Sequence, residues 1–110
     1  MEGRLPAHLE VAGLIRAVEA AGGFAAVLHK GERDAGTLLV VTLDDGLARL
    51  WERMPQADGS RPFVCTRTQE DADPRSFDEA IARRSALDPD LWVVELNVPK
   101  GERFIATAKG

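Results

Sequence analysis

Apolar residues recur every three or four positions near the start of the chain, and this spacing predicts an α-helix over residues 7–21. The apolar face of this helix consists of Val11, Leu14, Ile15, Val18 and Ala21. Pro6 suits the first turn of a helix, because the N–H that proline lacks would have no partner there. Gly22 and Gly23 supply the backbone freedom with which a helix ends.

A second flank of this helix is made of small residues, Gly13, Ala17 and Ala20. Glycine inside a helix costs about 1 kcal/mol relative to alanine. The flank therefore indicates that another backbone approaches closely. Packing against the sheet is the preferred interpretation, and a seam between two copies of the chain is the alternative.

Four strand-like segments follow, separated by turn-forming sequences rather than by helical spacing. They cover residues 24–29, 37–43, 48–54 and 62–67. Asp44-Asp45-Gly46 and Asp58-Gly59 are typical of tight hairpins, because aspartate and glycine tolerate the positive φ angles that such turns need. The pattern predicts a meander of four strands.

A second helix is predicted from the sequence Ser76-Phe-Asp-Glu79, which has the spacing of a capping box. Pro89 disfavours helical geometry at Asp88, so we expect the helix to end there. The next segment, residues 91–96, is apolar on both faces of a strand. This fifth strand requires cover on both sides.

These elements predict an α+β fold in the order α-β-β-β-β-α-β. A right-handed crossover through the second helix would let the fifth strand pair antiparallel with the first. The expected sheet is mainly antiparallel and five-stranded, in the order 5-1-2-3-4, with both helices packed on one face. We expect one domain over residues 1–97, and a C-terminal tail or short extra strand over residues 98–110.

The composition of the chain fits a globular protein, with 110 residues of which 45% are hydrophobic and 29% charged. A formal net charge of -4 opposes binding to nucleic-acid phosphates and to anionic membranes. Charges at Glu10, Arg16 and Glu19 interrupt the first apolar segment, so it fits neither a signal peptide nor a membrane span. A single cysteine, Cys65, excludes an internal disulfide and fits a reducing compartment. We therefore expect a cytoplasmic protein.

The residues that could carry chemistry do not form a catalytic or metal-binding motif. The two histidines, His8 and His29, lack the spacing of metal ligands, and we interpret them as isolated surface residues. Cys65 lies inside a predicted strand, where a thiol is usually a small core residue. The acidic residues from Glu70 to Asp90 do not match a calcium loop. We predict no catalytic residue, no metal and no cofactor.

One face of the third predicted strand carries Arg49, Trp51 and Arg53, which Arg61 or Arg67 could join from the next hairpin. Tryptophan and arginine are both enriched at binding surfaces. The structural interpretation is that the guanidinium groups shield an exposed indole. Arg49, Trp51, Arg53 and Arg61 form the candidate binding surface.

Three motifs occur within this order of elements: Ala20-Ala-Gly-Gly-Phe24, Asp34-Ala-Gly36 and Asp88-Pro-Asp-Leu-Trp-Val-Val-Glu95. Together they resemble the bacterial domain-of-unknown-function family 1491 over about residues 5–96. The motif around Trp92 is distinctive, whereas the two loop motifs are generic. The resemblance implies the fold and brings no reaction, cofactor or catalytic residue. It does not account for the tail from Asn97 onward.

The leading hypothesis is a non-enzymatic interaction module. A sheet face free of helices would bind a protein partner or a second copy of the chain, with Trp51 as the anchor. The alternative is single-stranded nucleic-acid binding, in which Trp51 stacks on a base while Arg49 and Arg53 hold phosphates. A metal-dependent or small-molecule enzyme is a third alternative, and it requires a polar pocket.

Overall fold

Two α-helices and five β-strands follow one another in the predicted order, which confirms the α+β class. The computed structural model describes residues 5–69 and 73–107. The elements are α1 (Ala7–Ala20), β1 (Phe24–His29), β2 (Leu38–Asp44), β3 (Leu47–Arg53), β4 (Phe63–Thr68), α2 (Pro74–Leu87), β5 (Trp92–Asn97) and a 3-10 helix (Gly101–Phe104).

The strands form one mixed sheet in the order β1-β5-β2-β3-β4. β5 pairs antiparallel with β1, as predicted, and parallel with β2. The expected order 5-1-2-3-4 is therefore corrected at one position, since β5 lies between β1 and β2. Burial explains the difference: Val93, Val94 and Leu96 are completely buried, and a strand that is apolar on both faces is most stable in the centre of a sheet. The more exposed β1 becomes the edge.

The two helices lie on opposite faces of the sheet, which corrects the expectation that they share one face. The α1 core cluster includes Val11, Leu14, Val18, Leu38, Val40, Trp92, Val94 and Leu96. The α2 core cluster includes Leu39, Val41, Ala48, Leu50, Phe77, Ile81, Leu91 and Val93. Successive side chains of a strand point to opposite faces, so β2 and β5 contribute to both clusters and need a helix on each side.

The loop between β1 and β2 crosses the beginning of β5, because β5 separates the two strands that this loop connects. The backbone N–H of Glu32 donates to the carbonyl of Asp90 at 2.9 Å. The indole N–H of Trp92 donates to the carbonyl of Glu32 at 2.7 Å. A Cβ atom on Gly31 or Gly36 would collide with the carbonyl oxygen of Asp90. The loop therefore passes over β5 only with glycine at both positions.

The C-terminal segment packs on the α1 side of the sheet. Val98 is buried, and Phe104 and Ile105 pack against the α1 core cluster. The backbone N–H of Phe63 donates to the carbonyl of Ala106 at 2.7 Å, and Thr107 forms a single parallel bridge with Phe63. Of the segment expected as a tail or extra strand, Val98, Phe104 and Ile105 thus pack on the α1 side, while Ala106 and Thr107 cover the start of β4. Residues 108–110 lie outside the described residues.

We expect Gly36→Ala to lower the free energy of unfolding by about 2 kcal/mol or more, because the added methyl group overpacks the crossing. It would meet Cδ1 of Trp92 at 2.8 Å as well as the Asp90 carbonyl. Gly13→Ala is the matched control, since a Cβ atom there has no described neighbour within 4 Å. We expect that control to raise stability by about 1 kcal/mol. Urea unfolding measures both changes in the free energy of unfolding. If both variants were stabilised, or both destabilised, the close contact of the loop with β5 would not be the reason for glycine at position 36.

Glu32 also braces the crossing loop through its side chain. Its carboxylate accepts the N–H groups of Ala35 at 2.6 Å and Asp34 at 2.9 Å. These hydrogen bonds, that of Ala35 most strongly, hold the pKa of Glu32 below its ordinary value of 4.5. A lowered pKa stabilises the folded state above the ordinary value, and the stabilisation is lost as the pH falls through the folded-state pKa.

The difference in Tm between the wild type and Glu32→Gln should therefore stay constant near neutral pH. It should shrink as the pH falls below the ordinary pKa of 4.5. Thermal unfolding followed by circular dichroism across this range measures the difference. A difference that does not change with pH would show that the carboxylate charge has no part in bracing the loop.

Candidate functional site

Trp51 lies on the α1 side of the sheet and is half-buried. Its ring packs against the α1 core cluster, and its indole N–H donates to Oγ1 of Thr42 at 2.9 Å. Thr42 is only 1% exposed, so the indole satisfies a hydroxyl group that water cannot reach. The expected sheet face without helices does not exist, because α1 and α2 cover opposite sides.

Arg53 is held in one orientation by α1 and β4. Its guanidinium donates twice to the carboxylate of Glu10, with Nη1 at 3.2 Å from Oε1. It also lies 4.7 Å from the ring centroid of Phe63. The side chains of Arg53 and Glu10 are 23% and 27% exposed, respectively. A two-pronged ion pair and a stacked ring together leave Arg53 little freedom.

Arg53 and Arg61 both line a cleft of about 320 Å³ between α1, β4 and the C-terminal segment. The apolar lining of this cleft consists of Leu14, Leu38, Phe63, Phe104 and Ile105. Gly13 and Ala17 line it from α1. The small residues of α1 therefore border an open space, which corrects the interpretation that they pack tightly on the sheet.

The charged lining of the cleft consists of Glu10, Arg53 and Arg61. One carboxylate and two guanidinium groups leave it with a net positive charge, on a chain whose formal net charge is -4. The four ion pairs among the described residues do not include Arg61. Of the candidate binding surface, the structure thus brings Arg53 and Arg61 to one site, while Arg49 and Trp51 do not line it.

β1 forms an exposed edge of the sheet, a feature that the sequence analysis missed. Within the described part of the chain, β1 pairs only with β5. Phe24, Val27 and Leu28 are 75%, 41% and 51% exposed. Two small residues, Ala25 and Ala26, were the available signal, because alanines bury too little apolar area to favour a central strand.

A groove of about 400 Å³ runs between this edge and α2. Its lining residues include Leu28, His29, Ile81, Ala82, Ser85 and Val93. We call Phe24, Leu28 and this groove the β1 surface. Its apolar side chains lie where α2 does not cover the sheet edge.

The two histidines and Cys65 lie on three different elements, α1, β1 and β4. Nδ1 of His29 is hydrogen-bonded to the carbonyl of Leu91, and the ring is half-buried, which corrects the interpretation of an isolated surface residue. Nδ1 of His8 lies 3.1 Å from the carbonyl of Arg33. Cys65 is exposed on the edge strand β4 and is not the core residue that was expected.

Among residues 5–69 and 73–107, no three His, Cys, Asp or Glu side chains are grouped closely enough to hold a metal ion. Glu70 and Asp71 of the acidic segment lie outside the described residues. None of the helices in the described ranges has the length and apolar character needed to span a bilayer.

The family model for DUF1491, a protein of unknown function, matches residues 5–106. The chain therefore belongs to the DUF1491 family, as the motifs indicated. The match continues past residue 96, where the resemblance was expected to end, and includes most of the C-terminal segment that packs beside α1.

Solved structures of similar proteins agree with this assignment. A DUF1491 family protein from Caulobacter crescentus CB15, solved by crystallography, has 34% sequence identity to this chain and a TM-score of 0.81. The match covers 96% of this chain and 100% of the Caulobacter chain. An NMR structure of a DUF1491 family protein from the same organism gives 34% identity, coverage of 99% and 100%, and a TM-score of 0.78. A solution structure from A. tumefaciens gives 31% identity, 98% coverage of each chain and a TM-score of 0.77. No curated protein matches the chain.

We expect the Glu10–Arg53 pair to contribute a coupling energy of about 1 kcal/mol, because both partners are shielded from water. A double-mutant cycle with Glu10→Gln and Arg53→Gln, measured by urea unfolding, gives this energy. The pair Glu52–Arg84 is the comparison, because it has a single hydrogen bond of 2.9 Å and its arginine and glutamate are 44% and 18% exposed. Its coupling should stay below about 0.5 kcal/mol. Equal coupling in the two pairs would show that neither the second hydrogen bond nor the lower exposure of Arg53 strengthens its ion pair.

Proposed function

We propose that the protein is a non-enzymatic interaction module that binds an extended strand of a protein partner, or of a second copy of itself, along β1. The exposure of β1 carries this proposal. An edge strand presents alternate N–H and C=O groups to solvent, and an added strand can pair with them. The exposed apolar side chains of the β1 surface supply the contacts by which such a strand would be selected.

The β1 edge lacks most of the features that protect exposed edges from pairing. Phe24, Val27 and Leu28 are apolar, and the strand contains neither lysine nor proline. One irregularity is present: the pairing with β5 shifts register between Val27 and His29. The residues from Phe24 to Val27 keep a regular register, which leaves four consecutive residues for a partner strand.

The groove beside the edge adds specificity to this pairing. A side chain of the added strand that points toward α2 would enter the space lined by Ile81, Ala82 and Val93. Backbone pairing is nearly independent of sequence, so the groove is the part that would distinguish one partner from another.

We further propose that this module works in the bacterial cytoplasm, where the exposed thiol of Cys65 would stay reduced.

Single-stranded nucleic-acid binding is the second candidate function, and the structure favours it less than strand binding at β1. Its anchor, Trp51, already uses its indole N–H on Thr42 and packs its ring on the core. Binding of a labelled oligonucleotide with a steep salt dependence would reverse this preference.

The self-association version predicts that the molar mass of the wild type rises from 11.9 kDa toward twice this value with concentration. The double variant Phe24→Lys/Leu28→Lys should remain a monomer, because lysine on an edge opposes strand addition. Leu9→Lys is the matched control, since Leu9 is 47% exposed on α1, away from the β1 surface. Size-exclusion chromatography with light scattering measures all three proteins.

A wild type that stays monomeric restricts the proposal to a different partner. Cross-linking followed by affinity capture then compares the same three proteins. A partner retained by the wild type and by Leu9→Lys, and lost with Phe24→Lys/Leu28→Lys, supports the proposal. A monomeric wild type with no partner, or with one that all three proteins retain, overturns it.

A further inference from the structure

We propose that the cleft between α1, β4 and the C-terminal segment binds a medium-chain fatty carboxylate, with the apolar chain inside the cleft and the carboxylate at Arg61. This site shares no lining residue with the groove of the β1 surface, so it can be tested independently of the proposed function. Three properties of the cleft support it: a glycine in its helix wall, an apolar lining, and a net positive charge among its charged lining residues.

Gly13 is the first property. It lies in the middle of α1, where glycine costs about 1 kcal/mol relative to alanine. A Cβ atom at this position would have no described neighbour within 4 Å, so neither packing nor a turn explains the glycine. Its φ angle is also in the ordinary range, since the glycines with positive φ are Gly22, Gly46 and Gly59. What the missing side chain provides is room in the cleft, which Gly13 lines together with Ala17.

The apolar lining is the second property. Leu14 and Leu38 come from the core below, and Phe63, Phe104 and Ile105 complete the walls. A volume of about 320 Å³ lies at the lower end of the range for small-molecule pockets. A chain of about eight carbons suits such a volume, and burying each of its methylene groups contributes about 0.8 kcal/mol.

The net positive charge of the lining is the third property, and it selects a carboxylate. Arg53 is neutralised by Glu10, to which it donates twice. Arg61 has no ion pair among those of the described residues, and it lines the cleft from the loop between β3 and β4. A guanidinium matches a carboxylate in geometry as well as in charge. A ligand anion therefore complements Arg61, whereas a ligand cation would be repelled by it.

Nuclear magnetic resonance titration of the wild type tests the site, with octanoate as the probe. We expect octanoate to shift the amide signals of Gly13, Leu14 and Ile105 in a saturable manner. Octylamine has the same chain with the opposite charge, and acetate has the same charge without the chain. Both should cause much smaller shifts at the same millimolar concentration.

Two variants separate the contributions of shape and charge. Gly13→Leu should abolish the octanoate shifts while the protein stays folded, because the new side chain enters open space. Arg61→Gln should weaken octanoate binding about tenfold, which is the scale of one charged hydrogen bond. Arg67→Gln is the matched control, because Arg67 is exposed on β4 and does not line the cleft. We expect it to bind octanoate as the wild type does.

The absence of octanoate shifts in the wild type would overturn the proposal. So would octanoate binding that survives Gly13→Leu, since the ligand would then lie elsewhere. Equal affinity for octanoate and octylamine, or equal weakening by Arg61→Gln and Arg67→Gln, would likewise remove Arg61 from the site. Loss with Gly13→Leu and weakening confined to Arg61→Gln would establish it.

Discussion

β5 must be covered on both faces, because its side chains are apolar in both directions, and the architecture follows from this requirement. A strand with Val93 and Val94 completely buried takes the centre of the sheet. A central β5 separates β1 from β2, and it requires α1 on one side and α2 on the other. The connection between β1 and β2 must then cross the start of β5.

The three motifs that carried the family resemblance lie at the two ends of this central strand. The second and third are in contact at its start, and the first lies at its far end. At its start, Gly36 and the carbonyl of Glu32 lie against Asp90 and Trp92. At its far end, a Cβ atom on Gly23 would come within 2.6 Å of Val98, so the first motif supplies clearance there. The residues that carried the family resemblance thus allow the chain to pack closely at both ends of β5. This explains why recognising the family reveals the fold and leaves the reaction or partner open.

Local pattern was sufficient to predict the helices and strands, because the periodicity of apolar residues and turn chemistry act within a few residues. The predicted capping box was wrong: α2 begins at Pro74, and Asp73 caps it by accepting the N–H of Ser76. The placement of β5 depends on competition between distant strands for burial, and it could be recognised only by comparing the apolar β5 with the alanines of β1. The same holds for the site. Arg53 and Arg61 were found by residue type, whereas the role of Trp51 depends on Thr42, which the register of β2 and β3 brings to its indole.

The two edges of the sheet are unequal, and this inequality limits how the protein can assemble. The chain covers the start of β4 with its own Thr107, and the rest of that strand presents polar residues such as Thr66, Arg67 and Thr68. The apolar β1 edge has no such cover among the described residues. In the proposed self-association through β1, these unequal edges favour a closed pair over end-to-end growth. The covered start and polar side chains of β4 thus oppose growth into fibres, the usual hazard of an exposed strand.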